Sequence, residues 1–240
     1  RVLENDGSLV QLHGDLSITE AVSSPGAVDV QDGNLSLGAR ENSLGSLQVS
    51  GSLSAEGQLS LTSEGASSSI GSVSGNLSIS AADGHQLTLG NDSSLSFVQG
   101  GNLSLGGSLA LTESSAVESL NLGSDGALTL NNGAVISVSG ELSGSGSVTI
   151  SQPHGVEAPY LSAGSVSAGS VVDFCGLSGS SILDGLTSGQ TLVLAPVSGD
   201  NNGRFTFDGS TSASGSDGEY RYNLVNENGQ VYILSHLNMV

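Results

Sequence analysis

One short unit, written over and over, constrains this chain more than anything else in it. A Gly and a small residue precede Leu-x-Leu or a near equivalent. The unit stands at Gly14-Asp15-Leu16-Ser17-Ile18, Gly33-Asn34-Leu35-Ser36-Leu37, Gly57-Gln58-Leu59-Ser60-Leu61 and Gly75-Asn76-Leu77-Ser78-Ile79. It returns at Gly101-Asn102-Leu103-Ser104-Leu105, Gly107-Ser108-Leu109-Ala110-Leu111 and Gly126-Ala127-Leu128-Thr129-Leu130. Weaker copies are Gln86-Leu87-Thr88-Leu89, Ser94-Leu95-Ser96-Phe97 and Ser119-Leu120-Asn121-Leu122. Apolar and polar residues alternate within each copy, the period-2 mark of a strand with one buried face. Helical spacing is absent. Gly, Asn, Asp and Ser separate the copies, as turns with positive φ require.

The fold class is therefore all-β, with many short strands. Sandwiches and barrels use longer strands and large aromatics, whereas these strands are nearly interchangeable. A repeat stacked on itself fits: a parallel β-solenoid, or β-helix, with two or three strands per coil. Inward Leu, Ile and Val stack on their equivalents one coil away, and outward Ser, Thr and Asn form polar ladders. At about 20 residues per coil, residues 1–151 make about seven coils and about 35 Å of rod. Each inward Leu contributes roughly 2 kcal/mol on burial. That gain must offset the ordering entropy of many Gly and Ser residues, so one coil alone cannot hold.

Composition narrows the function. The 240 residues include 36 Gly, and about a fifth are Ser, far above ordinary usage. There are 23 Asp and Glu against four Arg and no Lys, a formal charge of −19. Such a chain is a poor partner for nucleic acid or an anionic membrane, which need Lys and Arg. No apolar stretch is long enough for a transmembrane helix. The N-terminus lacks a signal peptide and runs straight into repeat-like sequence. A piece of a longer, processed chain is therefore expected, with further coils before Arg1.

Composition changes near residue 152. Tyr160, Phe174, Phe205, Phe207, Tyr220, Tyr222 and Tyr232 lie beyond it, as do Pro153, Pro159 and Pro196. Ser151-Gln152-Pro153-His154-Gly155 reads as a break. Residues 1–151 are β-helix coils, and 152–240 are final coils plus an aromatic cap that covers the open strand edge. The last element is a hairpin. Tyr220-Arg221-Tyr222-Asn223-Leu224-Val225 and Gln230-Val231-Tyr232-Ile233-Leu234 flank Asn226-Glu227-Asn228-Gly229, whose Asn-Gly suits a tight turn.

The Leu-x-Leu units, together with Leu186-Thr187-Ser188-Gly189-Gln190-Thr191-Leu192-Val193-Leu194 and the closing hairpin, resemble the passenger domains of Gram-negative type V autotransporters. The resemblance covers most of the chain. It implies a secreted right-handed parallel β-helix with a C-terminal capping, autochaperone-like region, exposed at the bacterial surface. The chain departs from that pattern at Tyr232, where the family hairpin often carries Trp, and it has no translocator barrel. The family holds adhesins, self-associating proteins and enzymes, so the resemblance leaves the activity open.

Concentrated chemistry is hard to find. His13, His85, His154 and His236 lack metal-ligand spacing and read as surface or turn residues. No Gly-x-Ser-x-Gly elbow marks a nucleophile. A glycan-active enzyme would need carboxylates brought together across coils, with Asp83, Asp92, Glu113, Glu118 and Asp125 as candidates. They sit mostly in apparent turns, as do the Asp-Gly pairs at Asp6, Asp32, Asp83, Asp125, Asp184, Asp208 and Asp217. The calcium nonapeptide repeat is absent. Gly140, Gly144 and Gly146 lack the spacing of a phosphate loop. The sequons at Asn34, Asn76, Asn91 and Asn102 mostly restate the repeat unit. Cys175, the only cysteine, reads as a buried, inert thiol.

The chain is thus expected to be non-enzymatic, with no catalytic, cofactor or metal residue to name and its binding residues unknown. An adhesin or self-associating scaffold working through polar ladders leads. Its partners would be its own copies or host glycan and protein surfaces. A glycan-active enzyme and a passive spacer for an upstream domain are the alternatives.

Overall fold

A computed structural model describes residues 9–151, 159–177, 181–215 and 218–239. The break expected around Gln152–Gly155 lies outside the described residues, as do Asp6, His154 and Asp217. The chain forms a right-handed parallel β-solenoid of about seven turns. Among the described residues the only helix is the single turn Ser181–Asp184.

Three walls make the cross-section. The first runs through Leu9–His13, Ala27–Gln31, the start of Ser46–Ala55, the start of Ser67–Ser74, Gln86–Leu89, Asn102–Leu105 and Ser119–Leu122. The second includes Leu16–Ile18, Leu35–Leu37, the end of Ser46–Ala55, Ser93–Leu95, Ser108–Leu111, Ala127–Leu130, Ser147–Ile150, Val171–Cys175 and Arg204–Phe207. The third holds Glu41–Leu44, Gly57–Leu61, Leu77–Ala81, Val98–Gln99, Ser115–Val117 and the start of Ile136–Gly144. Each coil thus uses three strands. Among paired strands the step between coils varies, from 16 residues between Leu87 and Leu103 to 33 between Val172 and Phe205. Insertions are absorbed in the corners, where loop length costs little.

The repeat units are distributed over all three walls. Gly101–Leu105 opens a first-wall strand, Gly33–Leu37 a second-wall strand, and Gly57–Leu61 and Gly75–Ile79 third-wall strands. Inward side chains stack in register. Leu87, Leu103, Leu120 and Leu142 form one such column, all essentially inaccessible.

Glycine has a different task here from the one expected. Many corner glycines have ordinary φ and are selected by space. Between the first and second walls, Gly33, Gly51, Gly71, Gly90 and Gly106 follow one another up the rod. A Cβ on Gly51 would stand 2.6 Å from the Gly33 carbonyl oxygen, and one on Gly106 3.0 Å from that of Gly90. The Gly51 N–H donates to that same Gly33 oxygen at 3.0 Å. The chain turns the corner so tightly that coils meet backbone to backbone.

Beyond the parallel coils the mode of pairing changes. Thr191–Pro196, Gln230–Leu237, Tyr220–Glu227 and Ser212–Ser214 form a four-stranded antiparallel sheet. The hairpin turns on Asn228 (φ 52°) and Gly229 (φ 70°), the paired positive φ of a tight two-residue turn. Its tip seats on the last coil, where the Val197 N–H donates to the Gly229 carbonyl at 2.6 Å. Tyr160, Phe174, Phe207 and Tyr222 fill this end, and the Phe174 and Phe205 rings stack 6.0 Å apart.

Candidate functional site

The outward faces are built by the same registers as the core. On the third wall Ser23, Ser43, Ser60, Ser80, Gln99, Ala116, Ser137 and Ser162 succeed one another without a charge. Seven coil steps of about 4.8 Å make this row about 34 Å long. On the first wall Gln48, Ser69, Thr88, Ser104, Asn121 and Ser143 do the same. Neighbouring rungs tie to each other: Asn121 donates to Ser143 at 2.8 Å, Ser119 to Asn102 at 2.6 Å, and Gln58 to Ser80 at 3.3 Å. These bonds hold the side chains in fixed array. Asp15, Asp32, Glu56, Glu64, Asp92 and Asp125 stand in links between strands, while Asp29, in register with Gln48, and Glu41 put charge on the walls themselves.

The five candidate carboxylates do not converge on one place, although Glu118 comes close to Asp83 through its bond to Gly84. Asp83 and Glu118 lie at the third-to-first corner, Asp92 and Asp125 at the first-to-second corner, and Glu113 at the second-to-third. Asp92 and Asp125 are separated by the coil that carries Gly107, about 9–10 Å of rod. Two of the five have structural partners. Asp92 accepts the Ser108 hydroxyl at 2.9 Å, and Glu118 reaches down two coils to accept the Gly84 N–H at 2.9 Å. No group of three or more His, Cys, Asp and Glu that could hold a metal occurs among the described residues.

The histidines divide. His13 is exposed, and His236 lies in the capping sheet with Asn223 at 3.3 Å. His85 closes a turn, its N–H donating to the Ala82 carbonyl at 3.0 Å, but it corrects the expectation of a surface residue, because it is wholly buried. Its Nε2 lies 2.7 Å from Ser68 Oγ and its Nδ1 2.8 Å from the Ser63 carbonyl. Ser68 in turn accepts the Leu47 N–H at 3.0 Å. The Ser63 carbonyl can only accept, so the Nδ1 facing it carries a hydrogen. A serine and a histidine at this distance have nucleophile-and-base spacing, yet Ser68 is 1% exposed and no substrate reaches it. The pair fills core: Ser68 interrupts the column between Leu47 and Leu87, and the imidazole enters beside it.

Sequence reading missed a wider use of inward polar residues. Ser93 accepts the Val73 N–H at 2.9 Å, Ser115 that of Val98 at 3.0 Å, and Asn42 that of Val22 at 3.1 Å. Each stands in for a ladder carbonyl of the next coil, so a buried donor is not left unpaired. Their Ser and Asn types match those of the outward rows, which is why the pattern hides them.

Cys175 is half-buried rather than buried. Burial and then the adjacent Asp173 carboxylate, which accepts the thiol at 3.0 Å, push its pKa up to about 11. Burial raises Asp173 too. Bonds from Thr206 at 2.6 Å, from Cys175 and from the Gly209 N–H at 2.9 Å outweigh it and hold that carboxyl below its ordinary value. The thiol is quiet for an electrostatic as well as a steric reason.

Shallow grooves break the described surface of the rod; besides one on the second wall around Ser17 and Ser36, there are three. Two lie along the third wall, one around Ser43, Gln58 and Ser60, the other where Ser162 and Gly164 meet the hairpin tip. The third, about 270 Å³, lies on the outer face of the capping sheet around Tyr232. The Tyr232 hydroxyl donates to Glu227 at 2.8 Å, and that bond lifts the phenol above its usual range. No protein-family model, curated protein or solved structure matches the chain.

Proposed function

We propose that this chain is a surface-exposed solenoid that works without enzymatic chemistry, as an adhesin or self-associating scaffold of the autotransporter-passenger kind. One observation carries the reading: the third-wall row from Ser23 to Ser162, uncharged and held at one spacing. A like row on a second copy matches it rung for rung. Each interfacial hydrogen bond is worth about 1 kcal/mol net, so strength comes from number. A contact through one such row, a single residue wide, favours weak, reversible association. Repulsion at −19 opposes association at low salt and relaxes as salt screens it.

Sedimentation velocity over a concentration series, at low and moderate salt, tests this. Reversible association that grows with concentration and salt is expected. It should be lost when Ser60→Glu and Ser137→Glu put charge into the row. Failure to bind itself, glycans or host protein at any ionic strength would overturn the reading.

A further inference from the structure

We propose that the groove around Tyr232 binds a neutral saccharide unit. The site is separate from the ladders and does not depend on them. Tyr232 stands on the central part of the capping sheet, in register with Val193 on one side and Val225 on the other. It is half-buried, so one part of the ring packs while another faces the groove. Val193 and Leu234 continue this apolar floor, and Glu227, Asn228, Gln230 and Thr191 rim it.

That combination matches the two-sided chemistry of a sugar. The apolar C–H face of a pyranose lies on an aromatic ring, and its hydroxyls need donors and acceptors around the edge. The rim supplies both: amides from Asn228 and Gln230, a hydroxyl from Thr191, and a carboxylate from Glu227. The bond from the Tyr232 hydroxyl to Glu227 fixes the ring and uses only one carboxylate oxygen, leaving the other as an acceptor. Charge decides among glycans. Glu227 on a chain of −19 repels sialylated or sulfated sugars and leaves neutral ones unaffected.

The test is an amide chemical-shift titration of the whole chain with neutral di- to tetrasaccharides of glucose, galactose and N-acetylhexosamine. Shifts at Val193, Gln230 and Tyr232 are expected at millimolar sugar. Tyr232→Ala should weaken binding at least about tenfold and Glu227→Gln by less, while Tyr232→Phe keeps most of it. Loss of the hairpin's own resonances would reveal misfolding, and the Tyr232→Phe and Glu227→Gln variants then carry the test. Three outcomes overturn the proposal: no perturbation by any of the sugars, perturbation confined to the walls, or Tyr232→Ala abolishing self-association without changing sugar binding. Wall variants and groove variants are read separately, so the ladders and the sugar site fail independently.

Discussion

Ser68 Oγ and His85 Nε2 meet 2.7 Å apart in the middle of the coils, both sealed from solvent. The serine breaks a column of leucines, and the histidine one coil on fills the space it leaves. His85→Ala leaves the Ser63 carbonyl and the Ser68 hydroxyl short of partners around a cavity. A loss of about 3–5 kcal/mol in urea unfolding is expected. Ser68→Leu overpacks against the ring and costs about 2 kcal/mol. The double variant should be more stable than the sum of the two predicts, because the larger side chain then has the space the imidazole vacates. A serine-directed phosphonate should leave native Ser68 unlabelled.

The corner glycines separate two kinds of requirement. Gly51→Ala drives a methyl into the Gly33 carbonyl and should cost about 2–4 kcal/mol. Gly65 has positive φ (66°) with nothing near its would-be Cβ. Gly65→Ala should cost only the backbone strain, about 1 kcal/mol. Thermal unfolding of the two variants, side by side, distinguishes space from conformation.

At Asp173 and Cys175 the signs are opposite. The carboxyl is held low in the fold, so it contributes stability above its unfolded pKa, and that stability is lost as pH falls through the folded value. The thiol is held high, so the fold loses stability as pH rises from the ordinary thiol range towards about 11. Alkylation of Cys175 by iodoacetamide should therefore stay slow until strongly alkaline pH. Asp173→Asn should move the rate profile to lower pH, and an unmoved profile would show that burial alone silences the thiol.

The hairpin tip is a clasp between cap and coils. Gly229 combines positive φ with a Cβ position 2.6 Å from the Val197 carbonyl. Gly229→Ala should loosen that contact, raising amide exchange at Val197 and along Thr191–Pro196. Exchange within Gln86–Leu89, far down the rod, should stay unchanged, since coils report mainly on their neighbours.

Legibility differed from element to element. Gln86–Leu89 and the Asn228-Gly229 turn stand where the sequence places them, because period-2 alternation and Asn-Gly are local signals. Ser46–Ala55 and Ile136–Gly144 are longer than any repeat unit, since each bends through a corner at a glycine and serves two walls. His85 was illegible. Asp83-Gly84 before it reads as a turn and Gln86 after it opens a strand copy, and only the missing leucine at Ser68, one coil away, explains its burial.

Residue order was enough to make this protein a stack of short strands with a leucine interior, a polar exterior and an aromatic end. Alternation and glycine punctuation are written residue by residue, and burial follows from them. Which wall each unit joins, which serines face inward to replace a carbonyl, and which corner each carboxylate occupies were settled in the folded stack. Those outcomes depend on register between coils 16 to 33 residues apart. Register is set by the packing of whole coils on one another, a non-local property that near-identical units do not encode singly.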